Sequence, residues 1–274
     1  MSNQFLNILS TNQRSLAMST FLIPGSPLRQ LIGNLNSIHA EKNRREQMFA
    51  TPIGCLVFIA ASLKAIGSDI TKHGGRRLPS LIPGFTKRLF TLVELWGIDQ
   101  FLTTLQAKYP ATGCGYCQHL PCICGASKTA PWRQYDNIQL HPNQAHWSLG
   151  DWQSHHARVY GIKNDNFTLD RLLGWQSEEF LEALMAIGWL EYAKQHGHPT
   201  HSGVEALATE LPDLLMRTLA IANHQLFDVE TTLLKRYQYG CAKCRSRYCV
   251  CPDSMADFEL FEQEVLATTR PTHE

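Results

Sequence analysis

The feature that most constrains the fold is a pair of cysteine clusters with identical spacing. They read CGYCQHLPCIC at 114–124 and CAKCRSRYCVC at 241–251, so both follow the pattern C-x2-C-x4-C-x-C. The similarity continues upstream, where LTTLQAKY at 102–109 resembles ETTLLKRY at 230–237. A helix-like segment repeated together with its cysteine cluster predicts two copies of one structural unit.

Each cluster has the composition of a structural zinc site. Four thiolates complete a tetrahedral shell around Zn²⁺ and leave no position open for a catalytic water. A redox-active C-x2-C pair and an iron–sulfur site are the alternatives. Cys55 stands alone in an apolar run and is predicted to be a small buried core residue. The predicted zinc ligands are Cys114, Cys117, Cys122, Cys124, Cys241, Cys244, Cys249 and Cys251.

The composition predicts a globular, cytoplasmic protein. The chain has 274 residues, is 44% hydrophobic and carries a formal net charge of +1, so a nucleic-acid or anionic membrane partner is not predicted. The most apolar run, GCLVFIAASLKAIG, contains Lys64 and falls short of the roughly 18 residues of a membrane span. The N-terminal segment lacks the apolar run of a secretory signal. We therefore expect reduced thiols rather than disulfides.

Apolar residues recur at helical spacing, which predicts an all-α fold. The predicted helices cover 27–38, 53–66, 86–108, 170–193, 204–223 and 228–237. The expected organisation is an N-terminal extension (1–25), a first helical unit (26–125), a linker (126–146), a second helical unit (147–252) and a tail (253–274). The two units are expected to pack as a pseudo-dimer, whereas separate domains on a flexible linker are the alternative.

Acidic residues are concentrated in two motifs of the second unit, SEEFLEAL and TELPDLL. They are Glu178, Glu179, Glu182, Glu210 and Asp213. Carboxylates brought together by packed helices repel one another unless a cation neutralises them, and Mg²⁺ prefers such oxygen ligands. A solvated helix face explains the first motif equally well, and Arg217 is placed to pair with Asp213. Pro212 predicts that its helix begins near Thr209 or bends there.

The order EExxE, a 27-residue spacer and ExxD resembles the signature of the MazG-like all-α nucleoside triphosphate pyrophosphohydrolases. The segment YGIKNDNFTLDRLLGWQSEEFLEAL resembles the part of that family's sequence that leads into the first acidic helix. ELPDLLMRTLAIANHQLFDVETTLLKRY resembles the second acidic helix and the helix after it. The resemblance covers about residues 147–252 and reaches 26–125 only through the cysteine tail and the helix spacing, so the first unit would be a degenerate copy.

The resemblance implies hydrolysis of a nucleoside or deoxynucleoside triphosphate to the monophosphate and pyrophosphate, with Mg²⁺ held by the acidic helices. It implies that all five acids are catalytic, and Mg²⁺ is assigned to Glu179, Glu182, Glu210 and Asp213. Asn223 falls where family members often carry an Asn near the nucleotide. Trp175 is a candidate to stack on a base and Lys235 to reach phosphates, although a core Trp and exposed polar helix residues are the alternatives. One chain would hold one active site, with further homo-oligomerisation open.

A non-catalytic zinc-knuckle protein that binds nucleic acid or protein is the alternative function. The second cluster is basic because it contains Lys243, Arg245 and Arg247, whereas the first has neither Lys nor Arg. That difference argues against a phosphate-binding role shared by both clusters. A carboxylate di-iron bundle is disfavoured because no Glu in the sequence is followed by a His three residues later.

Overall fold

The computed structural model describes residues 22–45, 51–124, 142–249 and 251. Within these ranges the chain forms eight α-helices and no β-strand, so the predicted all-α class is confirmed. The helices are α1 (Leu28–Arg45), α2 (Pro52–His73), α3 (Leu78–Trp96), α4 (Ile98–Lys108), α5 (Leu149–Asn164), α6 (Leu169–His196), α7 (His201–His224) and α8 (Val229–Tyr237). A short 3-10 helix, Pro142–His146, precedes α5. The C-terminal tail, most of the N-terminal extension and most of the predicted linker lie outside the described residues.

The helix predicted over 86–108 is in fact two helices. Gly97 separates α3 from α4 and adopts a φ of 133°, a conformation that residues with a Cβ rarely adopt. The first of the two also begins earlier than predicted, at Leu78. Pro79 lies in its first turn, where proline is tolerated, and the helix continues through Pro83. The sequence KHGGRRLPSLIPG, which has the composition of a loop, therefore contributes the first turns of α3.

Helix α5 is absent from the sequence-based prediction. A capping box starts it: the Ser148 hydroxyl accepts from the Asp151 amide, and the Asp151 carboxylate accepts from the Ser148 amide. Several of the side chains that α5 buries are polar, among them Gln153, His155 and His156. A search for apolar periodicity therefore passes over this helix.

Helices α6 and α7 form an antiparallel hairpin, since they are consecutive, pack along their lengths and are joined by residues 197–200. Thr168 caps the start of α6, and Gly197 ends it in the left-handed conformation at a φ of 67°. Of the two alternatives for Pro212, a helix start near Thr209 is excluded, because α7 begins at His201 and runs through Pro212. The hairpin holds both acidic motifs.

Contacts in the first half are matched by contacts in the second. Helix α2 packs along α3 as α6 packs along α7, and α1 contacts α3 as α5 contacts α7. Across the halves, α4 contacts α7 while α8 contacts α3, and the pairs α2–α6 and α3–α7 also touch. Buried residues from both halves form one hydrophobic cluster, in which Phe85, Phe90, Phe101 and Trp152 are among the largest fully buried side chains.

The expectation that the apolar run GCLVFIAASLKAIG is too short to span a membrane is wrong by length and composition, because helix α2 meets both requirements. Its most apolar 18-residue stretch is nevertheless 61% buried inside the protein, where α2 contacts α3 and α6. Ile53 and Val57, near its N-terminus, remain about half exposed. In this structure α2 has the surroundings of a core helix.

Candidate functional site

Three of the five predicted acids meet between α6 and α7. Carboxylate oxygens of Glu179, Glu182 and Glu210 all lie within 4.8 Å of one another. Glu179 and Glu182 are three residues apart and share a face of α6, and the antiparallel course of α7 brings Glu210 opposite them. The convergence of three carboxylates from two helices forms what we call the carboxylate cluster.

Two acids of the carboxylate cluster, Glu179 and Glu210, lie in an environment that disfavours negative charge. Burial raises the pKa of Glu210 to about 8, and the nearby Asp213 and Glu182 carboxylates act in the same direction against the opposing effect of Lys108. Glu179 is 7% exposed, and burial followed by the charge of Asp213 raises its pKa as well. A divalent cation would relieve this repulsion, so the donor set fits Mg²⁺.

The other two predicted acids are not among the three carboxylates of the cluster. Glu178 is exposed. Asp213 is buried and bound by two residues of the first half: Lys108 forms an ion pair with it, and the Tyr109 hydroxyl donates a hydrogen bond of 2.6 Å. Lys108 also donates to the Thr209 carbonyl at 2.9 Å. The first half therefore reaches the acidic helix through the end of α4.

Arg217 contacts the carboxylate cluster rather than its helical neighbour. The sequence suggested that Arg217 pairs with Asp213, but its guanidinium instead bonds Glu179 Oε1 at 2.9 and 3.0 Å. The guanidinium carbon also lies 5.2 Å from the centre of the Trp175 ring. Trp175 packs edge-on against Phe167 with 4.6 Å between ring centres. Trp175 is thus linked to the cluster through Arg217.

A cavity of about 100 Å³ lies beside Asp213, between the second half and the first cysteine cluster. Three cationic residues line it, namely Lys108, Lys163 and Arg217. His156 also lines it; burial and the charge of Arg217 lower the pKa of this imidazole to about 3. Among the described residues His156 Nδ1 has no hydrogen-bond partner. The cavity is therefore lined by three cationic side chains and a neutral imidazole, together with the Asp213 carboxylate.

The remaining two predicted nucleotide contacts lie elsewhere. Asn223 exchanges hydrogen bonds with Gln153, accepting at 2.9 Å from its side chain and donating at 3.2 Å to its carbonyl. Those bonds tie α7 to α5 and occupy the Asn223 amide. Lys235 is exposed and lines a separate cavity with Asp228 and Glu230.

Each set of four cysteines meets in space, as the repeated spacing predicts. In the first cluster Sγ atoms are 3.7 Å apart for Cys114 and Cys124 and 4.0 Å apart for Cys117 and Cys122. In the second, Cys241 and Cys251 are separated by 3.8 Å. Sulfurs bound to one tetrahedral Zn²⁺ at about 2.3 Å stand about 3.8 Å apart. Both clusters therefore have ligand sets and spacings that suit zinc.

The two cysteine clusters each bond to the opposite half of the chain. In the first, the Cys122 amide donates to the Val159 carbonyl of α5 at 2.8 Å. In the second, the Cys249 amide donates to the Ile38 carbonyl of α1 at 2.7 Å. Val159 and Ile38 occupy the same position, ten residues after the start of their helices. Metal at either cluster would therefore stabilise contacts between the halves.

We expect about two zinc ions per chain in protein purified without chelator. Because thiolate ligands hold the metal and the folded loops together, zinc removal should lower the melting temperature and release eight titratable thiols, leaving only buried Cys55 protected. Elemental analysis and thiol titration before and after chelation measure both effects. Absence of zinc, with all thiols reactive from the start, would contradict the assignment.

Several residues of the site carry weak sequence signals. Lys108 and Tyr109 lie at the end of the repeated helix. Because they match Arg236 and Tyr237 of the second copy, the sequence suggests a structural role for them. His156 and Tyr160 belong to the unpredicted helix α5. The repetition of this Lys/Arg-Tyr end in both halves was the sequence signal that could have singled out Lys108 and Tyr109.

Comparisons with protein-family models, curated proteins and solved structures gave no match to this chain. The resemblance to MazG-like enzymes therefore stays a prediction from the acidic motifs and the residues around them.

The carboxylate cluster predicts a characteristic dependence of stability on pH. The Glu210 pKa is about 8 in the folded protein against an ordinary value of 4.5, so the folded state holds this proton more tightly than the unfolded chain. Stability from this group is complete below pH 4.5 and is lost as the pH rises through 8. In metal-free protein, the melting temperature of the wild type should therefore fall relative to that of Glu210→Gln as the pH rises over this range.

Differential scanning calorimetry at a series of pH values measures this difference. Glu178→Gln is the matched control, since Glu178 is exposed on the same hairpin, and its melting temperature should follow the wild type. Added Mg²⁺ should raise the wild-type melting temperature most at the alkaline end, where the cluster is ionised. Parallel curves for Glu210→Gln and the wild type would refute the raised pKa.

Proposed function

We propose that this protein is a Mg²⁺-dependent hydrolase that converts a nucleoside or deoxynucleoside triphosphate to the monophosphate and pyrophosphate. The observation that carries the proposal is the carboxylate cluster: Glu179, Glu182 and Glu210 converge from two antiparallel helices to within 4.8 Å. A cavity lined by cationic side chains lies beside Asp213, one helical turn after Glu210. Adjacent acidic and basic regions suit a metal-bound triphosphate.

Glu179, Glu182 and Glu210 are the residues that would hold Mg²⁺. When bound, the ion supplies charge neutralisation and polarisation of the phosphate oxygens. The chain's own cations, Lys108 and Arg217, complement it, because both line the cavity and attract phosphate oxygens. A carboxylate of the cluster that is not fully used in coordination accepts the proton of the attacking water.

Asp213 has a supporting role in this proposal. Its carboxylate is occupied by Lys108 and by the Tyr109 hydroxyl, so it holds the Lys108 ammonium at the wall of the cavity. Arg217 is fixed in a similar way by Glu179. Both phosphate-binding cations are thus positioned before substrate arrives, which lowers the cost of ordering them on binding.

The two halves form a pseudo-dimer in this proposal, with one active site per chain. The Arg88 guanidinium lies 5.7 Å from the Phe58 ring in the first half, whereas Arg217 pairs with Glu179 in the second. Phe58 thus stands where the second half has an acid, if KAIG at 64–67 is aligned with MAIG at 185–188. The first half lacks the acids but supplies Lys108 and Tyr109 to the site of the second.

The decisive experiment is incubation of the full chain with a panel of nucleoside and deoxynucleoside triphosphates and Mg²⁺. The expected products are a monophosphate and pyrophosphate, resolved by ion-exchange chromatography, with none formed in EDTA. Release of orthophosphate and a diphosphate would indicate attack at the γ-phosphorus instead. No turnover of any triphosphate by metal-loaded protein would count against the proposal.

A further inference from the structure

The second cysteine cluster presents a basic and aromatic face that the proposed hydrolase does not use. This face, here called the basic surface, consists of Tyr239, Lys243, Arg245, Arg247 and Tyr248. All five side chains are exposed, and the two tyrosines are 63% and 54% exposed. The Arg247 guanidinium lies 5.7 Å from the centre of the Tyr248 ring. The surface therefore places cationic side chains next to exposed aromatic rings.

A cavity of about 350 Å³ opens at the basic surface. Tyr239, Arg245 and Arg247 line one side of it, and Asn34 and Ser37 of α1 line the other. None of the described residues that line this cavity is acidic. It therefore offers a concave positive site with polar side chains from the first half.

The backbone of the loop that carries the second set of cysteines does not require the positive charge of Arg245. Both loops make the same backbone hydrogen bond: the amide of the first cysteine donates to the carbonyl five residues later, from Cys114 to His119 at 3.0 Å and from Cys241 to Ser246 at 2.9 Å. Gln118 and Arg245 occupy equivalent positions and share a φ of 58°. Because Gln118 adopts the same conformation in the first loop, the backbone does not explain why the second loop has an arginine at position 245.

We propose that the basic surface binds single-stranded nucleic acid. Lys and Arg side chains contact the phosphates, and exposed tyrosine rings stack on unpaired bases. The cavity receives a nucleotide turned out of the stack, which a duplex does not offer. An acidic peptide would match the cations but would leave the tyrosine faces and the cavity unused, so nucleic acid is the better fit.

The basic surface is separate from the hydrolase site. Its cavity is lined by α1 and the second cysteine cluster, whereas the cavity beside Asp213 is lined by α5, α7 and the first cysteine cluster. The two cavities share no lining residue. Binding of nucleic acid is therefore a second activity, and it does not depend on the proposed hydrolysis.

The test uses the full zinc-loaded chain and a fluorescent oligo(dT) of about 12 nucleotides, a length within the usual range for single-strand sites. Fluorescence anisotropy is measured over a series of salt concentrations. In Arg245→Gln/Arg247→Gln, we expect affinity to fall by at least about tenfold. The slope of log K against log[salt] should shrink by about 1.4, the value for two lost phosphate contacts on a single strand.

Lys64→Gln/Lys72→Gln is the matched control, because it removes the same charge from exposed positions of α2. It should change neither affinity nor slope. Tyr239→Leu/Tyr248→Leu should weaken binding without changing the slope, since stacking releases no counterions. Zinc content and circular dichroism of each variant establish that it is folded.

No binding by the wild type, or an equal loss in the control variant, would overturn the proposal. So would equally tight binding of duplex DNA, of AMP or of poly-glutamate, which would indicate respectively a duplex, mononucleotide or acidic-protein site. Pyrophosphate release should be unchanged in Arg245→Gln/Arg247→Gln. If the wild type binds oligonucleotide but hydrolyses no triphosphate, the proposed function fails while this inference stands.

Discussion

Glu182→Gln is expected to lower Mg²⁺-dependent pyrophosphate release by at least about 100-fold. Loss of a direct metal ligand should reduce activity at least as much as loss of a residue that hydrogen-bonds to a ligand. Glu182 is exposed and belongs to the carboxylate cluster, so the substitution removes a donor without opening the core. The fold should stay intact, since one fewer charge reduces repulsion among the acids. Glu179→Gln should also abolish turnover, although it additionally weakens the bond to Arg217.

Glu178→Gln provides the control for this experiment. Glu178 neighbours Glu179 in sequence but is exposed and lies outside the carboxylate cluster, so its replacement should leave the rate within about twofold of the wild type. Steady-state assays at several Mg²⁺ concentrations separate weaker metal binding from slower chemistry. Retained activity in both Glu179→Gln and Glu182→Gln would eliminate the proposed metal site.

Expression of residues 140–274 alone should give an insoluble or self-associating product with little or no activity. Without the first half, α7 loses its contacts with α3 and α4, which would expose buried apolar side chains to water. Asp213 would lose both Lys108 and Tyr109. Analytical ultracentrifugation and the pyrophosphate assay compare the fragment with the full chain.

A chain with a protease site inserted between 125 and 141 tests the same point without removing either half. After cleavage, the pieces should co-elute in size-exclusion chromatography and keep their activity, because the contacts between the halves do not require a continuous chain. A soluble, monomeric 140–274 fragment as active as the full chain would instead show that the halves are independent domains.

The sequence alone predicted the all-α class, the meeting of each set of four cysteines, and two acidic helices in the second half. Helical periodicity and a repeated ligand spacing are local signals, so they survive without knowledge of tertiary contacts. Local signals also misled. The apolar periodicity was read straight through Gly97, so α3 and α4 were predicted as one helix, and the polar buried face of α5 left that helix unpredicted.

Only the tertiary structure decided which acids meet and which residues accompany them. Glu210 and Asp213 lie three residues apart, yet Glu210 joins Glu179 and Glu182 while Asp213 bonds Lys108, 105 positions away in the chain. Each cysteine cluster likewise bonds a helix of the other half. Residue type and spacing fix what a side chain can bind, but the packing of α4 against α7 and of α8 against α3 determines which partner it reaches.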